Sequence, residues 1–284
     1  MSLLFVLFIR LFSYLPFFIL NFFAWKLNFF NRIFFRYRKN IVQTNLAIAF
    51  PNKSKKEIKE ISKAFFRHLF DIIMEVIKMI SAPKSFINNK VTLQNKELID
   101  RYAENKQTIL LVFGHFNNWE WVGQKLSHSA QQKVVGIYKP LKNNTFDKLL
   151  KTARTRFGAI AISMEESMRY IINTKDECQI LGIIADQNPV INTSTYWVPF
   201  FGKEVPVFLG IEKIAKKMDY PVIFCDMQKK DIGKYTVKFE VLEENPKETA
   251  KGEITKRYFE RLQEQIKKAP SNYLWSHRRW KHKR

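Results

Sequence analysis

The apolar and polar positions divide the chain into three kinds of stretch. The first, Leu3 to Leu27, holds 25 residues in which Arg10 and Lys26 are the only charges. As one helix it would be roughly 37 Å long at ~1.5 Å per residue, enough to cross a bilayer core of about 30 Å. Pro16 would kink it and Asn21 is an awkward polar group. The part beyond Arg10 alone suits an interfacial or re-entrant helix, but the full length favours a span. The second kind opens on Ser54 and Glu57, a capping-box pattern. Behind them Ile58, Ile61, Phe65, Leu69, Ile72, Val76 and Ile80 recur at three- and four-residue spacing, which predicts an amphipathic helix ending before Pro83. In the third, short apolar runs alternate with helical patterns. Strands are expected over 108–113, 133–138, 159–163, 179–185, 221–227 and 235–242. Helices are expected over 119–129, 145–157, 165–176, 208–218 and 254–268. That alternation predicts an α/β sheet with helices on its faces. It reads as one domain, 36–284, behind an N-terminal anchor, 1–35.

Charge sharpens this picture. Among 284 residues, 48 Lys and Arg face 26 Asp and Glu, a net charge of +22. Such an excess points to anionic lipid, nucleic acid or an acidic protein as partner. Eleven of the 26 phenylalanines precede residue 36. No small-x-small cleavage site follows the apolar stretch, so a removable signal peptide is disfavoured. The next basic residues, Lys26, Arg32, Arg36, Arg38 and Lys39, keep that flank cytoplasmic by the positive-inside rule. This places residues 28–284 on the cytoplasmic side. Cys178 and Cys225 lie in apolar runs without metal spacing, which fits a reducing compartment. His68, His128, His277 and His282 show no ligand spacing, so no metal site is expected.

The candidate chemistry lies in TILLVFGHFNNWEW, residues 108–121. In open α/β sheets, sites form beyond the carboxyl ends of strands. His115 follows one predicted strand, and Asp186 follows another in ILGIIADQNP. Asn117 or Asn118 is placed to cap the next helix, with Glu120 in its first turn, where a carboxylate suits the helix dipole. The turn is expected to bring Glu120 to the imidazole, fixing its tautomer and leaving the other ring nitrogen as a base. No serine or cysteine stands in a nucleophile-elbow pattern, so such a base would act on a substrate hydroxyl or amine. A histidine that merely satisfies a strand end would show the same spacing. Trp119 and Trp121 fit equally the lining of an apolar tunnel or the core. FFG, residues 200–202, reads as wall or packing. The terminal HRRWKHKR reads as a basic tail, either solvated or docking on anionic headgroups or an acidic protein.

GHFNNWEW resembles the GHFGNWE block of the bacterial lipid A biosynthesis acyltransferases. RKNIVQTNLAIAFP (38–51), GIYKPLKNNTFDKLLKTARTRFG (136–158), ADQNP followed by VPFFG (185–202) and PSNYLWSHRRWK (270–281) resemble further blocks of that family, in order along nearly the whole chain. The resemblance implies an α/β fold with a central mixed sheet flanked by helices, glycerolipid-acyltransferase-like, with an N-terminal membrane helix. It implies transfer of a fatty acyl chain from acyl carrier protein, or alternatively coenzyme A, to a hydroxyl of an anionic lipid A precursor. The setting would be the cytoplasmic face of the bacterial inner membrane. It makes His115 the general base and Glu120 its orienting carboxylate. It also gives substrate-binding roles to Arg154 (on a phosphate or the thioester oxyanion), Asp186 (on the acceptor, or bracing Arg154), Gln187 and Lys139. No metal or organic cofactor and no nucleic acid is implied. Asn117 stands where the family has glycine, and Lys139 where arginine is common, which loses bidentate phosphate geometry. Two alternatives stay open on the residues alone: acyl transfer to another glycolipid or aminolipid, and a non-catalytic basic protein that binds membranes or nucleic acid.

Overall fold

The computed structural model describes residues 3–191 and 195–282. Four helices come first: α1 (Leu3–Ser13), α2 (Phe17–Phe30) with a π turn at Asn31–Phe35, α3 (Lys39–Ala49) and α4 (Lys55–Met79). Next come α5 (Lys84–Asn88), β1 (Val91–Leu93), α6 (Glu97–Glu104), β2 (Ile109–Phe113), α7 (Trp119–Ser129), β3 (Lys133–Tyr138), α8 (Asn144–Thr155), β4 (Ile160–Ser163), α9 (Ser167–Asn173) and β5 (Gln179–Ile184). The chain then forms β6 (Tyr196–Phe200), β7 (Lys203–Val207), α10 (Gly210–Met218), β8 (Val222–Asp231), β9 (Lys234–Glu243) and α11 (Glu253–Lys268).

Seven strands form one sheet in the order β1-β9-β8-β2-β5-β3-β4. Strands β8, β2, β5, β3 and β4 run parallel, while β9 is antiparallel to β8 and parallel to β1. The sheet is therefore mixed, with helices on its faces, as expected. Its strands are apolar on both sides because both sides are covered. Along β2, Leu110 and Val112 enter one core cluster while Ile109 and Leu111 enter the other, the period-two alternation of a strand. Ser54 caps α4 with the anticipated reciprocal Glu57 box.

The single spanning helix expected over 3–27 does not form. Pro16 removes a backbone donor and ends α1, leaving helices of 11 and 14 residues, about 16 and 21 Å long. The π turn that continues α2 adds Asn31 and Arg32 rather than apolar length. Among the described residues, no helix is long and apolar enough to cross a membrane. Both segments pack on α4, with Leu20, Ala24 and Met74 as their small shared core. Their outer faces stay bare: Leu3 is 79% exposed, Phe18 73% and Phe35 74%.

Candidate active site

The sheet register builds the centre of the site. β2 and β5 are parallel neighbours, with Phe113 opposite Ile184. Two residues further on, the same register brings His115 level with Asp186. The Asp186 Oδ1 atom lies 2.6 Å from His115 Nδ1, and Oδ2 accepts the His115 backbone N–H at 3.0 Å. Asp186 is 1% exposed. Burial pushes its carboxyl up, but the charge of His115, the two hydrogen bonds from that residue and one from Tyr273 outweigh burial and hold it below the usual value. An ionised Asp186 makes Nδ1 the donor, so Nε2 carries the lone pair. Gln187 Nε2 lies 3.3 Å from that atom.

Glu120 is elsewhere than anticipated. It does stand in the first turn of α7, and Asn118 does cap that helix by accepting the Trp121 N–H at 3.0 Å. Its carboxylate, however, is gripped by Arg154 of α8, with Nε to Oε2 at 2.9 Å and Nη2 to Oε1 at 2.5 Å. The carboxylate on the imidazole is Asp186, where Glu120 was expected, and the one bracing Arg154 is Glu120, one of the two roles expected of Asp186. Burial opposes the charge on Arg154, but Glu120 prevails and the guanidinium pKa is raised. Its Cζ atom also lies 5.3 Å from the Tyr138 ring centroid. Lys139, just beyond β3, is exposed and makes no hydrogen bond or ion pair among the described residues.

Asn117 has φ 54°, a left-handed conformation that asparagine tolerates better than most residues, which accounts for its standing in a glycine position. Gly114 packs closely on α11: a Cβ there would sit 2.5 Å from Leu262 Cδ1, which would have to move.

An apolar cavity of about 620 Å³ opens at His115. Trp119 lines it together with Phe65, Ile72 and Val76 of α4 and Phe146 and Leu150 of α8, and α1 contributes Phe5 and Ile9. The two tryptophans thus divide. Trp119 faces the cavity, while Trp121 is fully buried and donates its indole N–H to the Glu75 carbonyl at 3.0 Å.

Two supports of the site were not read from the sequence. Glu75 of α4 is fully buried, and its Oε2 accepts from Asn118 Nδ2 and the Tyr235 hydroxyl, each at 2.7 Å. Burial exceeds these bonds and pushes its carboxyl up to about 7. The signal was present: His68, Asp71, Glu75 and Lys78, all buried, recur at helical spacing beside the apolar stripe of α4. The second support is the C-terminal segment. Leu274 N–H donates to the His115 carbonyl, and Asn117 N–H to the Asn272 carbonyl, both at 3.0 Å. Trp280 stacks on Phe200 and Trp275, and Arg279 is 1% exposed. Arg279 reaches Asn188 and the Pro206 carbonyl, and His277, its pKa lowered by burial to about 4, accepts the Asn188 N–H. Up to residue 282 this is a folded wall rather than a free basic tail; Lys283 and Arg284 lie outside the described residues. FFG belongs to the hairpin it packs: Phe201 and Gly202 both have positive φ in the β6–β7 turn. Among the described residues no three His, Cys, Asp or Glu groups are placed to hold a metal ion.

The geometry is that of an oriented imidazole whose second ring nitrogen meets the Gln187 amide at the mouth of an apolar cavity. A family model described as bacterial lipid A biosynthesis acyltransferase matches residues 1–282. The chain belongs to this family. It is similar to the lipid A biosynthesis palmitoleoyltransferase of Escherichia coli K12, 23% identical over 269 residues, covering 94% of this chain and 86% of the relative. The lauroyltransferase of the same organism is 24% identical over 250 residues, 87% of this chain and 80% of the relative. An acyltransferase of Haemophilus influenzae is 20% identical over 237 residues, 82% and 72% of the two chains. The protein is an acyltransferase of the lipid A biosynthesis type.

Proposed function

We propose that this acyltransferase moves a fatty acyl chain from a thioester on acyl carrier protein to a hydroxyl of a lipid A precursor, with His115 Nε2 as general base. The observation that carries this reading is the His115–Asp186 pair at the mouth of the apolar cavity. The acceptor hydroxyl displaces the Gln187 amide from Nε2 and gives up its proton as its oxygen attacks the thioester carbonyl. Asp186 stabilises the imidazolium so formed. Collapse of the tetrahedral intermediate breaks the C–S bond, and the imidazolium returns the proton to the leaving thiolate. The acyl chain lies in the cavity, whose size is within the ~300–1,000 Å³ of ordinary ligand pockets. Arg154, fixed by Glu120, offers a preorganised positive charge to the substrate. The bare rings of α1 and α2 lie in the headgroup–acyl boundary of the cytoplasmic leaflet, an interfacial attachment that needs no span. The positive surface suits an acidic carrier protein.

The test is single-turnover transfer of a labelled acyl chain from acyl carrier protein to a panel of defined lipid acceptors. His115→Ala is expected to lower the rate about 10²–10⁴-fold with unchanged melting temperature. Near-wild-type transfer by that variant, or preference for a glycolipid or aminolipid outside lipid A, would overturn the reading.

A further inference from the structure

A second concavity, of about 210 Å³, lies where the π turn and α3 meet the first turns of α4. Five cations line it: Arg32, Arg36, Lys39, Lys59 and Lys63. Among the described residues only Lys63 of the five has an ion-pair partner, Glu60 at 2.6 Å. The other four make no ion pair and no side-chain hydrogen bond among the described residues. Like charges held together cost energy unless an anion joins them. The backbone that presents them is strained as well. Arg36 and Arg38 both adopt left-handed φ, 47° and 46°, a conformation that non-glycine residues visit at a cost and that often marks ligand clamps. Bonds lock it: Asn31 Oδ1 accepts the Tyr37 N–H at 2.9 Å, the Asn31 carbonyl accepts the Arg36 N–H at 2.8 Å, and Arg38 Nη1 donates to the Ser276 carbonyl at 2.9 Å. The strained loop is thus fixed to the C-terminal wall of the reaction site.

The neighbours of these cations decide the occupant. Phe34 and Phe35, on the same turn as Arg32 and Arg36, are 67% and 74% exposed. A soluble polyanion has no use for bare rings, whereas a lipid offers acyl chains to the rings and a phosphate to the cations. We propose that this cradle binds the phosphate group of a membrane lipid, at a place distinct from the reaction centre at His115. The two places share α4. Residues 59–66 line the cradle, while Phe65 to Ile77 line the apolar cavity. Ser62 to Ile72 is about 15 Å along the helix axis. A phosphate held in the cradle therefore anchors its lipid alongside the cavity mouth, with the hydrocarbon toward α1 and α2.

The test uses the full chain, and its binding arm does not depend on the transferase reading. Flotation measures binding to phosphatidylcholine vesicles with and without phosphatidic acid. The triple variant Arg32→Gln, Arg36→Gln, Lys59→Gln is compared with an equal charge change on exposed residues elsewhere, Lys203→Gln, Lys251→Gln, Lys267→Gln. The cradle variant is expected to lose about a hundredfold in affinity for phosphatidic acid vesicles, and the control less than about threefold. Lys59→Gln alone, on the exposed face of α4, is expected to lose about fivefold without altering the fold. A second arm measures KM for a lipid A precursor with and without its phosphates. A rise confined to the phosphorylated acceptor assigns the cradle to the acceptor's own phosphate, and loss of vesicle binding alone assigns it to bilayer phospholipid. Losses no greater than the control's in both arms overturn the proposal. So does tight binding of inorganic phosphate, abolished by the triple variant, without any vesicle preference.

Discussion

Asp186 and Glu120 are both buried carboxylates beside the same loop, yet they hold different partners for different structural reasons. Asp186 emerges from β5, and the hydrogen-bond register with β2 delivers it to His115. Glu120 belongs to α7 and meets a residue of the neighbouring helix α8, Arg154. The first pair is set by the sheet ladder and the second by helix packing. Closeness in sequence misled: five residues separate His115 from Glu120 and 71 separate it from Asp186, but parallel strand ends are neighbours in space.

Three measurements would break or sharpen this comparison. The largest effect is expected for Asp186→Asn. With the imidazole's tautomer and counter-charge lost, transfer should fall about 10²–10⁴-fold. The Asp186→Asn, His115→Ala double variant should be little slower than His115→Ala, because the two act as a unit. Additive losses for this pair would separate Asp186 from the base. A smaller loss, roughly 10–100-fold, is expected for Glu120→Gln, which removes a charge-assisted fork from Arg154. That loss should be strongly non-additive with Arg154→Gln and close to additive with His115→Ala. Strong coupling between Glu120 and His115 in a double-mutant cycle would restore the pairing read from the sequence.

The third effect is on stability and leaves the chemistry aside. Glu75 has a folded pKa of about 7 against an ordinary 4.5, so between those values the folded state holds the proton more tightly. Its contribution is fully present below pH 4.5 and is lost as pH rises through 7, by roughly 3 kcal/mol. Glu75→Gln should erase this slope, so that its melting temperature gains on the wild type between pH 5 and pH 8. Parallel melting curves for the two proteins across that range would show that Glu75 stays ionised in its pocket.

The same contrast explains how much could be read beforehand. Core strands and amphipathic helices announce themselves through local periodicity, and β2, β3, β5, α4 and α7 stand close to where the pattern put them. Two residues of the candidate site are legible for the same reason, since His115 and Asp186 each follow an apolar run. Their pairing was not visible, because strand order in a sheet is a non-local property. β6 and β7 escaped notice because Pro199 and Pro206 interrupt their runs, and proline argues against a strand unless it lies at an edge. The length of the N-terminal apolar stretch outweighed Pro16 in the reading, whereas in the structure the missing backbone donor outweighs the length. Charge alone makes the C-terminal HRRWKHKR look like a free tail. Its Trp280 stacks on Trp275, just before it, at 6.3 Å between ring centroids, and Arg279 is folded into the interior.

The register between β2 and β5 also governs which changes of chain length the molecule tolerates. Residues may be added to or removed from the loops at 130–132 and 174–178 without altering how far His115 stands from Asp186, because both are counted from a paired ladder and not along the connecting chain. Removing one residue from Ile109–Phe113 does alter it. The side chain that follows the strand would then face the opposite side of the sheet, and His115 would point into packing while a neighbour met the carboxylate. Length variation among functioning relatives should therefore collect in the connections, leaving the count from strand to histidine and from strand to aspartate constant.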